Sequence, residues 1–381
     1  LAAHTVGARM DSRLRGNDNG LYAQGWDDKQ EVRPTVVKII TVDDVKTIIQ
    51  RKGLEQFFIE LIARLRRDFS RWPEFKKTPR LATHFPHGVI ELMPICDEQY
   101  YAFKYVNGHP YNPQQKKLTV AAIGVLAEVA SGYPLLISEM TLLTAIRTAA
   151  TSALASSYLA RPQPQSFAII GAGSQAEFQI LAHHYALGIQ RFKYYDKDRS
   201  AMAKLAKNLD RYELELIAAS DIPSAIAGAE IITTATADKV QATILKDAWI
   251  NAGVHINAIG GDCPGKTELD PRILSRGKIV VENLEQTQHE GEIQNLPSGK
   301  IYAELWEIVS GQKPGRQTPE ELFIFDSVGF ALEDYTILRY LDDLTTEYSL
   351  GHPIHLIPQI DNPKNLFHLL VPSSPNSLPG D

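Results

Sequence analysis

Apolar and polar positions change rhythm twice along these 381 residues. Before Val36 they show no period: Arg9-Met10-Asp11-Ser12-Arg13-Leu14-Arg15-Gly16-Asn17-Asp18-Asn19-Gly20 is polar and rich in glycine and asparagine. Residues 1–35 are therefore expected to form a disordered or adventitiously translated extension. Val36 to Ile40 then reads as a short strand, and Thr41, Asp43 and Asp44 carry the start signals of a helix running towards Lys52 before Gly53. The run Phe57-Phe58-Ile59-Glu60-Leu61-Ile62-Ala63-Arg64-Leu65-Arg66-Arg67 has helical spacing, with its basic residues on a solvated face. Aromatic and β-branched residues mark strands in Gly88 to Pro94 and Tyr100 to Val106, with more in Leu118 to Val129 and Pro134 to Ile137. Together these predict an antiparallel, sheet-rich first domain. Ser138-Glu139-Met140-Thr141 is expected to open a long alanine- and leucine-rich helix through Ala160, which Pro162 and Pro164 end.

Beyond residue 161 the rhythm becomes an alternation of strands and helices. The apolar runs are Phe167 to Ile170, Arg191 to Tyr195, Leu214 to Ala218, Ile231 to Ala235, His255 to Ile259, Lys278 to Val281 and Leu322 to Asp326. Such spacing predicts an α/β fold: a Rossmann-type, doubly wound parallel sheet over residues 162–334, beside an α+β domain made of residues 36–161 and 335–381. The proline-rich tail (Pro353, Pro358, Pro363, Pro372) is expected to wrap back over the first domain.

Composition narrows the classes. With 44% apolar and 22% charged residues the chain can fill two cores. A net charge of −6 and a pI near 6.0 argue against a nucleic-acid or anionic-membrane partner, which would need clustered Lys and Arg. Two cysteines, Cys96 and Cys263, give neither a disulfide framework nor a zinc spacing, which fits a reducing cytoplasm. No run of about 18 apolar residues suits a membrane span, and the N-terminus lacks the apolar core of a signal peptide.

The clearest chemical signal is Gly171-Ala172-Gly173-Ser174-Gln175-Ala176, which follows an apolar strand and precedes a helix from Glu177 to Leu187. Gly171 suits the tight turn, Gly173 lets the backbone approach a pyrophosphate, and the helix N-terminus attracts that anion. Asp196, at the end of the next strand, is placed to accept from the adenosine ribose hydroxyls and to repel a 2′-phosphate. NAD is therefore expected rather than NADP, with Lys197 and Arg199 as nearby cations that moderate the preference. A second signal lies in Ile256-Asn257-Ala258-Ile259-Gly260-Gly261-Asp262-Cys263-Pro264-Gly265-Lys266, where one carboxylate sits in a glycine-flanked loop after an apolar strand. Asp262 is the candidate acid/base; read alone, it is equally a turn former. Cys263 reads as a packed thiol, and His109, His183 and His184 as structural or surface residues.

Several segments in this order resemble the ornithine cyclodeaminase and mu-crystallin family. They are Gly88 to Pro94, Phe103 to Pro110, Ser138 to Thr141, Ala145 to Ala150, Gly260 to Lys266, and Phe325-Asp326-Ser327-Val328-Gly329. The likeness covers roughly Val36 to Pro363, and the Gly261-Asp262-Cys263-Pro264-Gly265 loop looks like the cyclodeaminase form rather than the mu-crystallin form.

The resemblance implies NAD-dependent conversion of L-ornithine to L-proline and ammonia, with the cofactor reduced and re-oxidised in one turnover. Lysine cyclisation, ketimine reduction and amino-acid dehydrogenation are the neighbouring activities. It further implies that the first domain binds substrate and forms a homodimer through its sheet. Arg80, Lys104 and Arg147 match cations that hold the substrate α-carboxylate, Glu91, Met93 and Val328 match pocket positions, and Asp262 matches the acid/base. Thr119, Arg147, Ser174, Gln175, Asp196, Thr236, Ile259, Gly260, Gly261, Asp262, Lys266 and Ser327 match dinucleotide contacts, beside Gly171 and Gly173. Without the resemblance, Arg80 and Lys104 read as surface cations, and Arg147 is as well explained by a structural ion pair.

Overall fold

A computed structural model describes residues 36–236, 243–261, 263–296 and 301–371. The chain opens with β1 (Val37–Ile40), α1 (Val42–Lys52) and α2 (Leu54–Ser70). Thr41 caps α1 through a reciprocal pair: its hydroxyl accepts from Asp44 N at 3.3 Å and Asp44 Oδ2 accepts from Thr41 N at 2.8 Å. The basic residues of α2 face outward as expected: Arg66 and Arg67 are exposed, while Phe57, Phe58, Leu61 and Leu65 are buried. Then come β2 (Lys76–Lys77), β3 (Leu81–Phe85), β4 (Gly88–Cys96), β5 (Tyr100–Gly108), β6 (Val120–Glu128), β7 (Pro134–Glu139) and α3 (Thr141–Leu159).

Two expectations need correction here. Ser138 and Glu139 do not open the helix: they finish β7, where Ser138 pairs with Ile40 and Glu139 with Ile123. Glu139 Oε1 instead accepts from Leu142 N at 2.7 Å, so the acid satisfies a first-turn donor of α3 from outside it. Nor is the sheet wholly antiparallel, because β1 lies parallel to β7.

The second half holds β8 (Ser166–Ile170), α4 (Ala176–Leu187), β9 (Arg191–Tyr195), α5 (Arg199–Leu209), β10 (Glu215–Ala218), α6 (Ile222–Ile226), β11 (Ile231–Thr234) and β12 (His255–Ala258). It continues with α7 (Pro271–Arg276), β13 (Lys278–Val281), α8 (Leu284–Glu290), β14 (Ala303–Glu304), α9 (Leu305–Val309), β15 (Phe323–Asp326), α10 (Ala331–Tyr348) and β16 (His352–Ile354). The first sheet runs β16-β1-β7-β6-β5-β4-β2, with β3 also on β4, and the tail returns to it through β16, antiparallel to β1. The second runs β10-β9-β8-β11-β12-β15-β13-β14, with every pair parallel. Its order reverses beside β8, which creates the crevice at the carboxyl ends of β8 and β11 where such sheets bind ligands.

Strand alternation decides what each face touches. Phe167 and Ile169 join one hydrophobic cluster with α2, α3, α4, α10 and the inner face of the first sheet; Ala168 and Ile170 point to a second cluster with α6 and α7. In the first sheet Glu91 and Met93 on β4, and Ala102, Lys104 and Val106 on β5, are buried, whereas Leu92, Tyr101 and Tyr105 face out. A charged residue on an inward register position is thereby driven into the core.

Candidate active site

At the end of β8, Gly171 has φ +107°, and a Cβ there would stand 2.5 Å from Ala235 O on the loop after β11. Only glycine fits this turn without strain. Gly173 is different: a Cβ there would meet nothing within 4 Å, so the space above the loop is open. Gln175, which precedes α4, makes no side-chain cap, and its buried Oε1 has no hydrogen-bond partner. Asp196 directly follows β9, with Oδ2 accepting from Ala172 N at 2.7 Å and Oδ1 from Asp198 N at 2.8 Å. One carboxylate therefore fixes the glycine loop and keeps lone pairs for a diol. Room above Gly173, an unsatisfied acceptor and an oriented acid fit a dinucleotide.

A buried charge cluster packs against the loop after β15. Arg80, just before β3, donates from Nη1 to both oxygens of Glu91 at 3.2 and 3.1 Å, and from Nη2 to the carbonyls of Val328 and Gly329 at 2.5 and 2.7 Å. Its Nε lies 3.1 Å from Glu290 Oε2 at the end of α8. Lys104 Nζ lies 2.9 and 2.8 Å from the two oxygens of Asp334. Arg147 on α3 pairs with Glu333, and its Nε is 3.1 Å from Asp334 Oδ1. Lys104 is only 1% exposed, and burial, followed by repulsion from Arg147, pulls its ammonium down to about 8. Burial raises the Glu333 carboxyl, with Arg147 opposing.

Three cations thus meet with carboxylates from β4, α8 and α10. The surface-cation alternative for Arg80 and Lys104 does not hold, because strand register and the packing of α10 enclose them. Arg147 has the partners that a structural ion pair requires, Glu333 and Asp334.

A ladder of buried acids braces the loops between the two groups. Glu282, after β13, accepts from Ser327 Oγ at 2.5 Å and from the backbone N of Val328 and Gly329 at 3.3 and 3.2 Å. Burial, with Glu333 nearby, pushes its carboxyl up to about 8. Asp326 accepts from Glu292 N and Ile293 N at 2.9 and 3.0 Å, and burial pushes it up to about 7. Glu292 in turn accepts from Glu268 N and Leu269 N at 2.8 and 3.0 Å. Glu268 then accepts from Thr236 N at 3.0 Å and from the Thr236 hydroxyl, while Lys266 Nζ donates to Thr236 O at 2.9 Å. Each carboxylate holds the backbone that carries the next, so β11, β12 and β15 present their end loops as one braced surface.

Of the residues predicted from sequence, Gly171, Gly173, Ser174, Gln175, Asp196, Thr236, Ile259, Gly260, Gly261, Lys266 and Ser327 all fall at or just beyond carboxyl ends of parallel strands. Arg80, Glu91, Lys104, Arg147 and Val328 fall in the charge cluster, with Met93 two residues along β4 from Glu91 on the same face. Thr119 precedes β6, its carbonyl accepting from His109 N at 2.8 Å; among the described residues its hydroxyl joins neither group. Asp262 lies outside the described residues. Sequence reasoning missed Glu268, Glu282, Glu290, Glu292, Glu333 and Asp334. The available signal was an acid closing an apolar strand (Val280-Val281-Glu282) or interrupting an apolar helix (Leu332-Glu333-Asp334-Tyr335).

A parallel sheet with a glycine loop at its switch point, and a buried cluster of cations against the loop after β15, define the class: a dinucleotide-dependent enzyme for a small molecule. The sequence model described as the ornithine cyclodeaminase/mu-crystallin family matches residues 41–348, and the chain belongs to that family. An ornithine cyclodeaminase from Agrobacterium tumefaciens (strain Ach5) is 48% identical over 336 residues, 88% of this chain and 94% of that protein. Among solved structures, a lysine cyclodeaminase described with L-lysine, L-ornithine and L-2,4-diaminobutyric acid recognition superposes with a TM-score of 0.79 at 29% identity, covering 84% of this chain and 96% of that one. An archaeal alanine dehydrogenase dimer with bound NAD gives 0.77 at 30% identity, covering 84% and 100%.

Proposed function

We propose that this protein is an NAD-dependent ornithine cyclodeaminase, converting L-ornithine to L-proline and ammonia. The observation that carries the reading is the convergence of Arg80, Lys104 and Arg147 on one buried place against the loop after β15, in a chain 48% identical to an ornithine cyclodeaminase over 88% of its length. In a site shielded from water, guanidinium and ammonium groups grip a carboxylate far more strongly than at a surface. They orient the α-carbon, and Glu91 and Met93 line the path of the diamine chain.

NAD, when bound, supplies an acceptor for the α-hydrogen and returns it in the same turnover, so no net oxidation remains. The residues at the loop ends hold it: Asp196 at the ribose, the backbone of Gly171 to Gln175 at the pyrophosphate, and Thr236, Ile259 to Gly261, Lys266 and Ser327 along the remainder. Asp262 is the proton carrier, taking a proton from an amine so that nitrogen can attack C2 and returning it as ammonia leaves. Positioned transfer of this kind contributes ~10²- to 10⁴-fold.

The partner is a second copy. Register aligns Leu81, Leu92, Tyr105 and Ile123 across β3, β4, β5 and β6, and all four are exposed on the outer face. An apolar row of this kind suits a homodimer through the first sheet. A sequence with only two cysteines, too few for a disulfide framework, fits the cytoplasm, and no helix among the described residues is long and apolar enough to cross a membrane.

The test is purified protein with L-ornithine and a catalytic amount of NAD, following proline, ammonia and absorbance of the reduced cofactor, with L-lysine in parallel. Equimolar proline and ammonia without accumulating reduced cofactor is expected, and Asp262→Asn should keep NAD binding while losing turnover. One methylene is worth only ~1–3 kcal/mol of discrimination, so the ratio of the two substrates is measured rather than assumed. Stoichiometric reduction of NAD would instead make this a dehydrogenase.

A further inference from the structure

Among the described residues Asp334 is the carboxylate that touches two of the three cations. It lies in the first turn of α10, 1% exposed, with both oxygens within 2.9 Å of Lys104 Nζ and Oδ1 at 3.1 Å from Arg147 Nε. Its neighbour Glu333 is engaged elsewhere, pairing with Arg147 while capping α10 by accepting from Phe330 N at 3.2 Å. We propose that Asp334 is a positioning residue that keeps Lys104 charged and holds it beside Arg147, so that the pair presents one fixed target to a substrate carboxylate. The proposal rests on the reading of the cation cluster given above.

The physical argument is one of competing charges. Lys104 is enclosed by β5 and α10 and faces Arg147 on α3, with Arg80 before β3 and Glu91 on β4 one step further and Glu333 beside Asp334. Burial and the two guanidinium groups all favour loss of its proton, and Asp334 is the opposing charge in direct contact. Arginine does not lose its proton in water's range, so the strain of crowding three cations falls on the lysine. Remove the Asp334 carboxylate and Lys104 becomes neutral within the working pH range, leaving the substrate carboxylate one charge short.

The experiment uses the full chain as wild type, Asp334→Asn, Asp334→Glu and Lys104→Arg, with kcat and KM for L-ornithine measured from pH 6.5 to 9.5 at saturating NAD. NAD affinity and melting temperature are recorded for each. Asp334→Asn is expected to raise KM and to move the alkaline limb of kcat/KM down by about one pH unit or more, while NAD affinity holds. Asp334→Glu should recover part of the limb, and Lys104→Arg should abolish it, since no proton is then lost. An unmoved limb, or a rise in KM that comes together with lost NAD affinity and a lowered melting temperature, overturns the proposal. If wild type does not turn over ornithine, the functional reading fails separately. Calorimetric binding of L-ornithine and L-proline over the same pH range then reads the same limb, and failure of both to bind overturns the proposal too.

Discussion

The glycine loop after β8 and the charge cluster under α10 are built in opposite ways. The loop acts through the backbone of consecutive residues, Gly171 to Ala176, and one acid from the next strand end, Asp196, which bonds the loop directly. The cluster acts through side chains drawn from β4, β5, α3, α8, α10 and the segment before β3, at residues 80, 91, 104, 147, 290, 333 and 334. Mutual dependence follows from this. A loop held by turn geometry loses function locally when altered, whereas buried charges that neutralise one another fail as a set.

The largest effect expected from that contrast is at Arg147. Arg147→Met leaves Glu333 buried without its cation and should cost about 3–5 kcal/mol in chemical denaturation, besides abolishing turnover. The double variant Arg147→Met with Glu333→Gln should regain part of that stability and none of the activity. A double variant that loses the sum of both single costs would mean that the two residues stabilise the fold independently, and the view of a mutually neutralised cluster would fall.

The same difference governs what the sequence discloses. Gly171-Ala172-Gly173 and Asp196 are adjacent to strand runs, so pattern and spacing alone mark them. Lys104 is marked by nothing local: its inward direction depends on the register of β5, and its enclosure on α10, more than 200 residues later. The resemblance to a family supplied Arg80, Lys104 and Arg147, but their partners Glu290, Glu333 and Asp334 went unread, because an acid in a helix pattern ordinarily signals a solvated face. Helix and strand identity were mostly legible. The misplaced start of α3 came from treating Ser138 and Glu139 as helical, when pairing with β1 and β6 keeps them extended.

A smaller effect should appear in the pH dependence of stability. Glu282 is fully enclosed, and its carboxyl stays protonated in the folded chain up to about 8, whereas in the unfolded chain it ionises near the ordinary value of 4.5. Between these limits the unfolded state binds fewer protons, so the contribution of Glu282 to stability is greatest below pH 4.5 and falls as pH rises towards 8. The slope from one such group is at most about 1.4 kcal/mol per pH unit. Denaturation midpoints at pH 5, 6, 7 and 8 check this, with Glu282→Gln expected to be flatter than wild type on the alkaline side. Equal slopes would mean that Glu282 is ionised in the folded protein and held by its three donors.

The two glycines of the loop give the finest test, because they are required for different reasons. At Gly171 the conformation itself excludes a side chain: φ is +107° and a Cβ would press on Ala235 O at 2.5 Å. Gly171→Ala should therefore destabilise the free protein by about 1–3 kcal/mol and disturb the loop whether or not cofactor is present. At Gly173 nothing stands within 4 Å of the added carbon, and the backbone has no positive φ. Gly173→Ala should leave the unliganded protein within about 0.5 kcal/mol of wild type. The added methyl would occupy the space over the loop, so its effect should surface only on titration with NAD, as about a tenfold or greater loss of affinity, equivalent to ~1.4 kcal/mol. If Gly173→Ala binds NAD normally, the pyrophosphate does not approach the loop at that position. If it unfolds the free protein, the open space is not what the glycine provides, and the division between a backbone-built site and a side-chain-built one loses its sharpest support.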